Sequence, residues 1–267
     1  MKNKIKSICS VIFFLILISC ESEEIISPEA EFEEYTVVQA EIQPDKFFPA
    51  VRFTKTLPLG IPFDIKQAEL KDVTAYIVKN EIQVIPLIYS GDGLYKPRYQ
   101  FLVDEGEIYE LYANNEGKFI YGKTIVPYRP VVTSLNYNVN GHYLEANTLT
   151  ETNVVYAALW IVSTTPPVKA EDFFSVSTPP ENNNNEVSVR TAEIPEKYRS
   201  SAYAGQRYIQ VFAFDQSYRK YFYSRTSGQQ VNNPYVQGGG TIEWNMQGER
   251  VIGMFIGLTR DLIRNVN

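Results

Sequence analysis

Two cysteines, one histidine and three methionines occur in 267 residues, and each scarcity removes a class of chemistry. A single histidine, His142, excludes histidine-rich metal sites and any catalytic dyad that needs a second imidazole. The two cysteines, Cys9 and Cys20, both fall in the first twenty residues. Twenty-five basic residues against 31 acidic give a formal charge of −6, the wrong sign for nucleic acid or an anionic membrane surface, both of which select clustered lysine and arginine. No Gly-x-Ser-x-Gly elbow, phosphate loop or dinucleotide fingerprint is present, and nothing calls for a cofactor or a metal. Carboxylate pairs of the glycosidase kind come together only in the folded chain, so sequence leaves them open. The longest apolar run, Ile8 to Ile18, is far short of the roughly 20 residues a membrane-spanning helix requires.

What is present begins with that run. Lys2, Lys4 and Lys6 precede it and a small residue and a cysteine follow it, the layout of a signal peptide. Leu17-Ile18-Ser19-Cys20 resembles the lipobox of bacterial lipoproteins. That resemblance implies cleavage after residue 19 and a diacylglycerol on the Cys20 thiol; the competing readings are an ordinary signal peptide with an incidental cysteine or an N-terminal membrane anchor. With Cys9 discarded and Cys20 consumed, no disulfide, cysteine metal site or cysteine nucleophile remains. The mature chain of 248 residues then carries 22 basic residues against 31 acidic.

From Glu21 to Glu34 there is no basic residue. Such an acidic, weakly apolar stretch buries too little surface to offset its ordering entropy, so residues 20–34 read as a lipidated acidic tether. Acids just after the lipidated cysteine also resemble the signal that sends lipoproteins of Bacteroidota to the outer face of the outer membrane, against the plainer reading of a linker.

Beyond the tether the hydrophobic period is almost entirely two, the mark of half-buried antiparallel strands. Val38, Ala40 and Ile42 alternate with polar residues, as do Val51 and Phe53 in the next segment. "DVTAYIVKNEIQVIPLIY" reads as a hairpin across Asn80-Glu81, with Ile77 opposite Val84 and Ala75 opposite Pro86. A second hairpin turns at Asn115-Glu116-Gly117. With a short strand near Tyr99 to Val103, about seven strands are expected between Tyr35 and Val126. Pro127 and Pro130 then interrupt any ladder, which sets a boundary between an N-terminal domain, 35–128, and a C-terminal β-rich domain, 129–267. The second half restarts with a hairpin on Asn140-Gly141. The continuously apolar Val154 to Val162 is expected as a strand covered on both faces, followed by strands at Tyr208 to Phe214 and Arg219 to Ser224. Near the end, Ile242, Trp244 and Met246 share a strand face. Helical period is absent apart from a possible turn at Glu196 to Ala204, and the asparagine-rich loop at 182–185 reads as mobile. The expected fold is all-β: two consecutive antiparallel β-sandwich domains, the first immunoglobulin-like or transthyretin-like.

The order of "YTVVQAEI", "VRFTKTLP", "KDVTAYIV", "DGLYKP", "DEGEIYELYANNEGKFIYGKTIVP" and "ERVIGMFIGL" behind a lipobox resembles lipoproteins of Bacteroidota in domain-of-unknown-function family 4249. The second half is shorter than that pattern, and "NNPYVQGGGTIEW" matches its ending only loosely. The resemblance implies no activity; it implies an outer-membrane lipoprotein often encoded beside a TonB-dependent receptor of the SusC-like sort.

Candidate functional residues are few. His142 reads as a hairpin-end residue, Asp92 as part of a turn and Asp215 as a strand end, since neither aspartate has the dense spacing of a calcium loop. Among 19 tyrosines, 15 phenylalanines and two tryptophans, most are ordinary strand packing. "SYRKYFYSR" differs: as a strand it would set Arg219, Tyr221, Tyr223 and Arg225 on one face, the composition enriched at protein interfaces. Three functions are consistent with these features. The first is a noncatalytic, surface-facing accessory or binding lipoprotein beside an outer-membrane transporter. The second is a fimbrillin-like or adhesive assembly subunit, weakened because no basic protease site precedes Lys46. The third is a glycan-active hydrolase.

Overall fold

The computed structural model describes residues 32–58, 60–179, 185–227 and 242–266. The signal segment, Cys20, the acidic stretch through residue 31 and Asn182 to Asn184 lie outside the described residues.

The chain is all-β, with sixteen strands and two short α-helices among the described residues. The first seven strands are β1 (Thr36–Ile42), β2 (Val51–Lys55), β3 (Thr74–Lys79), β4 (Gln83–Tyr89), β5 (Leu94–Pro97), β6 (Ile108–Asn115) and β7 (Lys118–Ile125), with α1 (Ile65–Ala68) between β2 and β3. The second half contributes β8 (Val132–Asn138), β9 (Tyr143–Leu149), β10 (Val154–Val162), β11 (Val168–Lys169), β12 (Glu186–Arg190) and β13 (Arg207–Asp215). It continues with α2 (Ser217–Ser227), β14 (Met246–Gly248), β15 (Val251–Arg260) and β16 (Arg264–Asn265).

Most strands belong to one long, folded sheet in the order β11-β10-β13-β15-β1-β2-β5-β4-β3-β6-β7-β14. Its first core lies where this sheet doubles back on itself. Val38, Ile42 and Phe53 from β1 and β2 meet Ile77, Leu111 and Ile120 from β3, β6 and β7, all fully buried. β15 serves both halves of the molecule: it runs parallel to β1, from Thr36↔Val251 to Ile42↔Gly257, and antiparallel to β13 at Phe212↔Arg260. The second core lies between β10 and β13 and a separate three-stranded sheet, β12-β9-β8. There Leu144, Ala146, Val187 and Val189 meet Trp160, Val162, Ile209 and Val211. As expected of a strand covered on both sides, β10 also turns Val155 and Ala157 toward a third cluster, closed by Val176, Phe214 and Phe222.

Three local readings are corrected. The first hairpin has a three-residue loop, Asn80 to Ile82, with Asn80 and Glu81 at positive φ, so Lys79 pairs with Gln83, Ile77 with Ile85 and Ala75 with Leu87. One residue of slip exchanges the faces of a strand: Ile85 and Leu87 go inward, while Val84 and Ile88 are exposed. The strand expected near Tyr99 is instead β5, and residues 99–103 retain only the Phe47↔Leu102 bridge. Near the end, only Met246 of the Ile242, Trp244, Met246 set lies in a strand. The Asn140-Gly141 hairpin does form, with Tyr137 opposite Leu144, but His142 rather than the glycine takes the positive φ. The turn at Glu196 to Ala204 is a pair of 3-10 turns.

Candidate functional site

The segment expected to be a Tyr/Arg strand is helix α2, and the sequence contains the reason. Tyr218, Tyr221, Phe222 and Arg225 stand at i, i+3, i+4 and i+7, one helical stripe. Asp215 supplies the start signal, for its Oδ1 accepts from the Ser217 N–H at 2.8 Å and from Ser217 Oγ at 2.6 Å, the action of a capping side chain. Aromatics at three consecutive positions, Tyr221 to Tyr223, fit either period and concealed the helical one.

Helical geometry divides the four candidate residues into two i, i+4 pairs instead of one face. Tyr221 and Arg225 lie together, the guanidinium 5.7 Å from the ring centroid, and Tyr221 also packs on Trp244 at 5.4 Å. Arg225 pairs with Asp172. Arg219 lies over Tyr223 at 6.0 Å, and Tyr223 donates its hydroxyl proton to the Val176 carbonyl at 2.9 Å. Phe222 is buried against the third cluster, and Tyr218 stacks on Phe214 at 4.1 Å, burial that pushes the Tyr218 phenol up to about 12. The helix therefore presents Arg219 and Lys220 outward, Lys220 paired with Glu243 at 3.6 Å, while Tyr221, Tyr223 and Arg225 hold neighbouring segments, Tyr223 remaining 45% exposed.

The other singled-out residues are structural. Asp215 ends β13, and its Oδ2 accepts from the Ile125 N–H at 2.9 Å, tying the second half to β7. Asp92 lies in a turn at positive φ and pairs with Lys66. Trp160 lies within the second core. No group of three or more potential metal ligands occurs among the described residues.

Two surface features had no single-segment signal in the sequence, because cross-strand pairing or chain crossing assembles them. On the outer face of β3, β6 and β7, Tyr76 stacks on Tyr112 at 5.3 Å and Tyr112 meets Tyr121 at 5.0 Å. These rings pack on one another, as cross-strand aromatic pairs do. Tyr121 donates to the Glu110 carboxylate at 2.6 Å, and burial together with that acid pushes its pKa well up.

The second feature is a cleft of about 670 Å³ where the ends of β1 and β15 meet β13 and the segment after Val126. Pro44, Leu258, Leu262 and Ile263 supply its apolar lining, and Asp45, Lys46, Arg129, Gln210, Arg260 and Asp261 its polar groups. Arg129 spans Asp45 and Glu105, the latter at 2.8 Å. Asp45 is held at positive φ, and the Asp261 carboxylate is engaged by Arg264.

No protein-family model and no curated protein matches the chain. Among solved structures it is similar to a DUF4785 family protein from Legionella pneumophila subsp. pneumophila, with a TM-score of 0.27 and 10% identity over 68% of this chain and 52% of that one. The chain thus spans about half the length of that protein, and so loose a superposition transfers neither fold nor function.

Proposed function

We propose that this protein is a noncatalytic binding or accessory lipoprotein, anchored in the outer membrane through Cys20, facing the cell surface and working beside a TonB-dependent transporter. The observation that carries the reading is the outer edge of α2. On a chain with excess acid, Arg219 and Lys220 stand exposed beside the partly exposed ring of Tyr223 on a helix whose inner side is fixed by Phe222 and Tyr218, with Lys220 paired to Glu243 and the Tyr223 hydroxyl to the Val176 carbonyl. Basic and aromatic side chains on a rigid support are the groups from which interface anchors are drawn. The resemblance of residues 17–20 to a lipobox and the acidic stretch after them support the location.

The test isolates the lipid-labelled protein from native outer membranes. Label on Cys20, a co-isolated TonB-dependent receptor, and loss of that receptor with Arg219→Glu are expected. Labelled protein that brings no such receptor overturns the accessory role; unlabelled protein overturns the anchor. A second reading rests on β8, an edge strand of the three-stranded sheet. Edge strands accept an added strand from another chain, so a fimbrillin-like or adhesive subunit would yield copies of this chain joined end to end in place of a receptor.

A further inference from the structure

The junction cleft differs in charge from the rest of the molecule. Of its two acids, Asp45 is engaged by Arg129 and Asp261 by Arg264. Of its three cations, Arg129 is neutralised by Asp45 and Glu105. That leaves Lys46 and Arg260. Lys46 donates to the neutral Gln43 amide at 2.6 Å, and neither it nor Arg260 pairs with a carboxylate among the described residues. Both uncompensated charges in the hollow are therefore positive, in a chain whose formal charge is −6.

The hollow also has an apolar lip. Leu262 is 74% exposed and Ile263 53% exposed, side by side on the segment after β15, directly following Arg260 and the anchored Asp261. Asp261 holds this segment in place: its N–H donates to Val211 O at 2.9 Å, and its carbonyl accepts from the Gln210 amide at 3.2 Å. The two apolar side chains are thus displayed on fixed backbone beside a guanidinium that pairs with no carboxylate among the described residues. Small-ligand sites are concave, mainly apolar and oriented by a few polar groups, with volumes of about 300–1,000 Å³. The cleft has a volume in this range and sets an apolar lip beside Arg260 and Lys46, the two cationic groups that pair with no carboxylate among the described residues.

We propose that the junction cleft is a binding site for a small organic carboxylate with an apolar body. Arg260 receives the carboxylate, to which a guanidinium fork is matched in shape. Lys46 supplies the second positive charge, and Leu258, Leu262 and Ile263 cover the apolar part. This site is separate from the α2 edge and holds whether or not Cys20 carries lipid.

The test uses the full chain in non-ionic detergent and follows the fluorine NMR signal of 4-(trifluoromethyl)benzoate, with detergent alone as the blank. Saturable binding is expected. It should weaken about tenfold in Arg260→Glu and in Leu262→Asp, and stay unchanged in Phe119→Asp, an exposed apolar position on β7 outside the cleft. The neutral analogue 4-(trifluoromethyl)benzamide should bind about fivefold more weakly than the benzoate. Retained circular dichroism certifies each variant, and Arg260→Gln replaces the charge reversal if that variant does not fold. No saturable binding, benzamide binding equal to benzoate, or undiminished binding in folded Arg260→Glu or Arg260→Gln would overturn the site.

Discussion

The two cores of this molecule bury their polar groups in opposite ways. Around the first, the buried ionisable groups are carboxylates held by tyrosine hydroxyls: Glu69 accepts from Tyr89, and Glu110 from Tyr121. At the second, the most deeply buried charged group is a guanidinium. Arg207 is only 5% exposed; it donates to the carbonyls of Tyr198, Arg199 and Ser200 and lies 4.4 Å from the Tyr137 ring centroid. The difference follows from architecture. In the first core the long sheet covers itself, and its buried carboxylates lie at the margin, Glu69 just after α1 and Glu110 on the outer face of β6. The second has a three-stranded cover, and its end is closed by the 3-10 turns at Glu196 to Tyr203, whose carbonyls lack ladder partners and are gathered by one planar five-donor side chain.

β15 joins the two, so the most disruptive change lies there. Gly253 sits at φ +128, and a Cβ at that position would fall 1.9 Å from Val38 O. Gly253→Ala must separate β15 from β1, and we expect a loss of about 4 kcal/mol or more. Calorimetry would show a melting point lower by about 10 °C or two transitions in place of one. An unchanged single transition would show that the parallel pair does not couple the cores.

Arg207→Met keeps the stem and removes the donors. Leaving the Tyr198 and Arg199 carbonyls without the guanidinium, and Ser200 O with only the Tyr203 N–H at 3.1 Å, should cost about 3 kcal/mol in denaturant unfolding. Arg207→Lys should recover only part of this, because a point charge cannot reproduce the fork. Full recovery by lysine would mean that charge alone matters there.

Asp215 stands at the seam between the halves and caps α2. Asp215→Ala removes an acceptor from Ile125 N–H and two hydrogen bonds from Ser217, an expected cost of about 2 kcal/mol. Hydrogen exchange should rise in α2 and at Ile125 together; a rise in α2 alone would make Asp215 a cap and nothing more.

The same residues show what could be read from sequence. The alternation in β1 and the continuous apolar run of β10 report burial on one face and on two, which needs no knowledge of the partner strand. By contrast, the register of β3 and β4 depends on whether Ile82 belongs to the loop, and a difference of one residue exchanges Val84 with Ile85. In α2, Tyr221, Phe222 and Tyr223 satisfy periods of two and of 3.6 equally, so only Asp215 before Ser217 favoured the helix. The junction cleft was not legible at all. Gln43 to Lys46, Arg129 and Arg260 to Ile263 are more than 200 positions apart at the extremes, and only the parallel pairing of β1 with β15 brings them together.

The smallest expected effect is the most selective between the two halves, because it differs in sign. In the first half, the hydrogen bond from Tyr89, helped by Lys71 and Lys66, holds the Glu69 carboxyl below its ordinary value of 4.5. In the second half, burial raises the Glu151 carboxyl above 4.5, only partly offset by the Tyr128 N–H and reinforced by Glu105. A lowered folded pKa contributes stability that is present above the unfolded value and is lost as pH falls through the folded one. A raised folded pKa does the reverse: stability is highest below the unfolded value and declines as pH rises from there toward the folded one. Glu69→Gln should therefore flatten the loss of stability below pH 4.5. Glu151→Gln, which keeps an acceptor for the Tyr128 N–H, should remove a decline that begins near pH 4.5 and so raise stability at pH 7. Paired denaturant titrations from pH 3 to pH 7 measure both. If the two variants shift the curve in the same direction, the two halves do not treat buried carboxylates oppositely, and the contrast between the two regions fails at its simplest point.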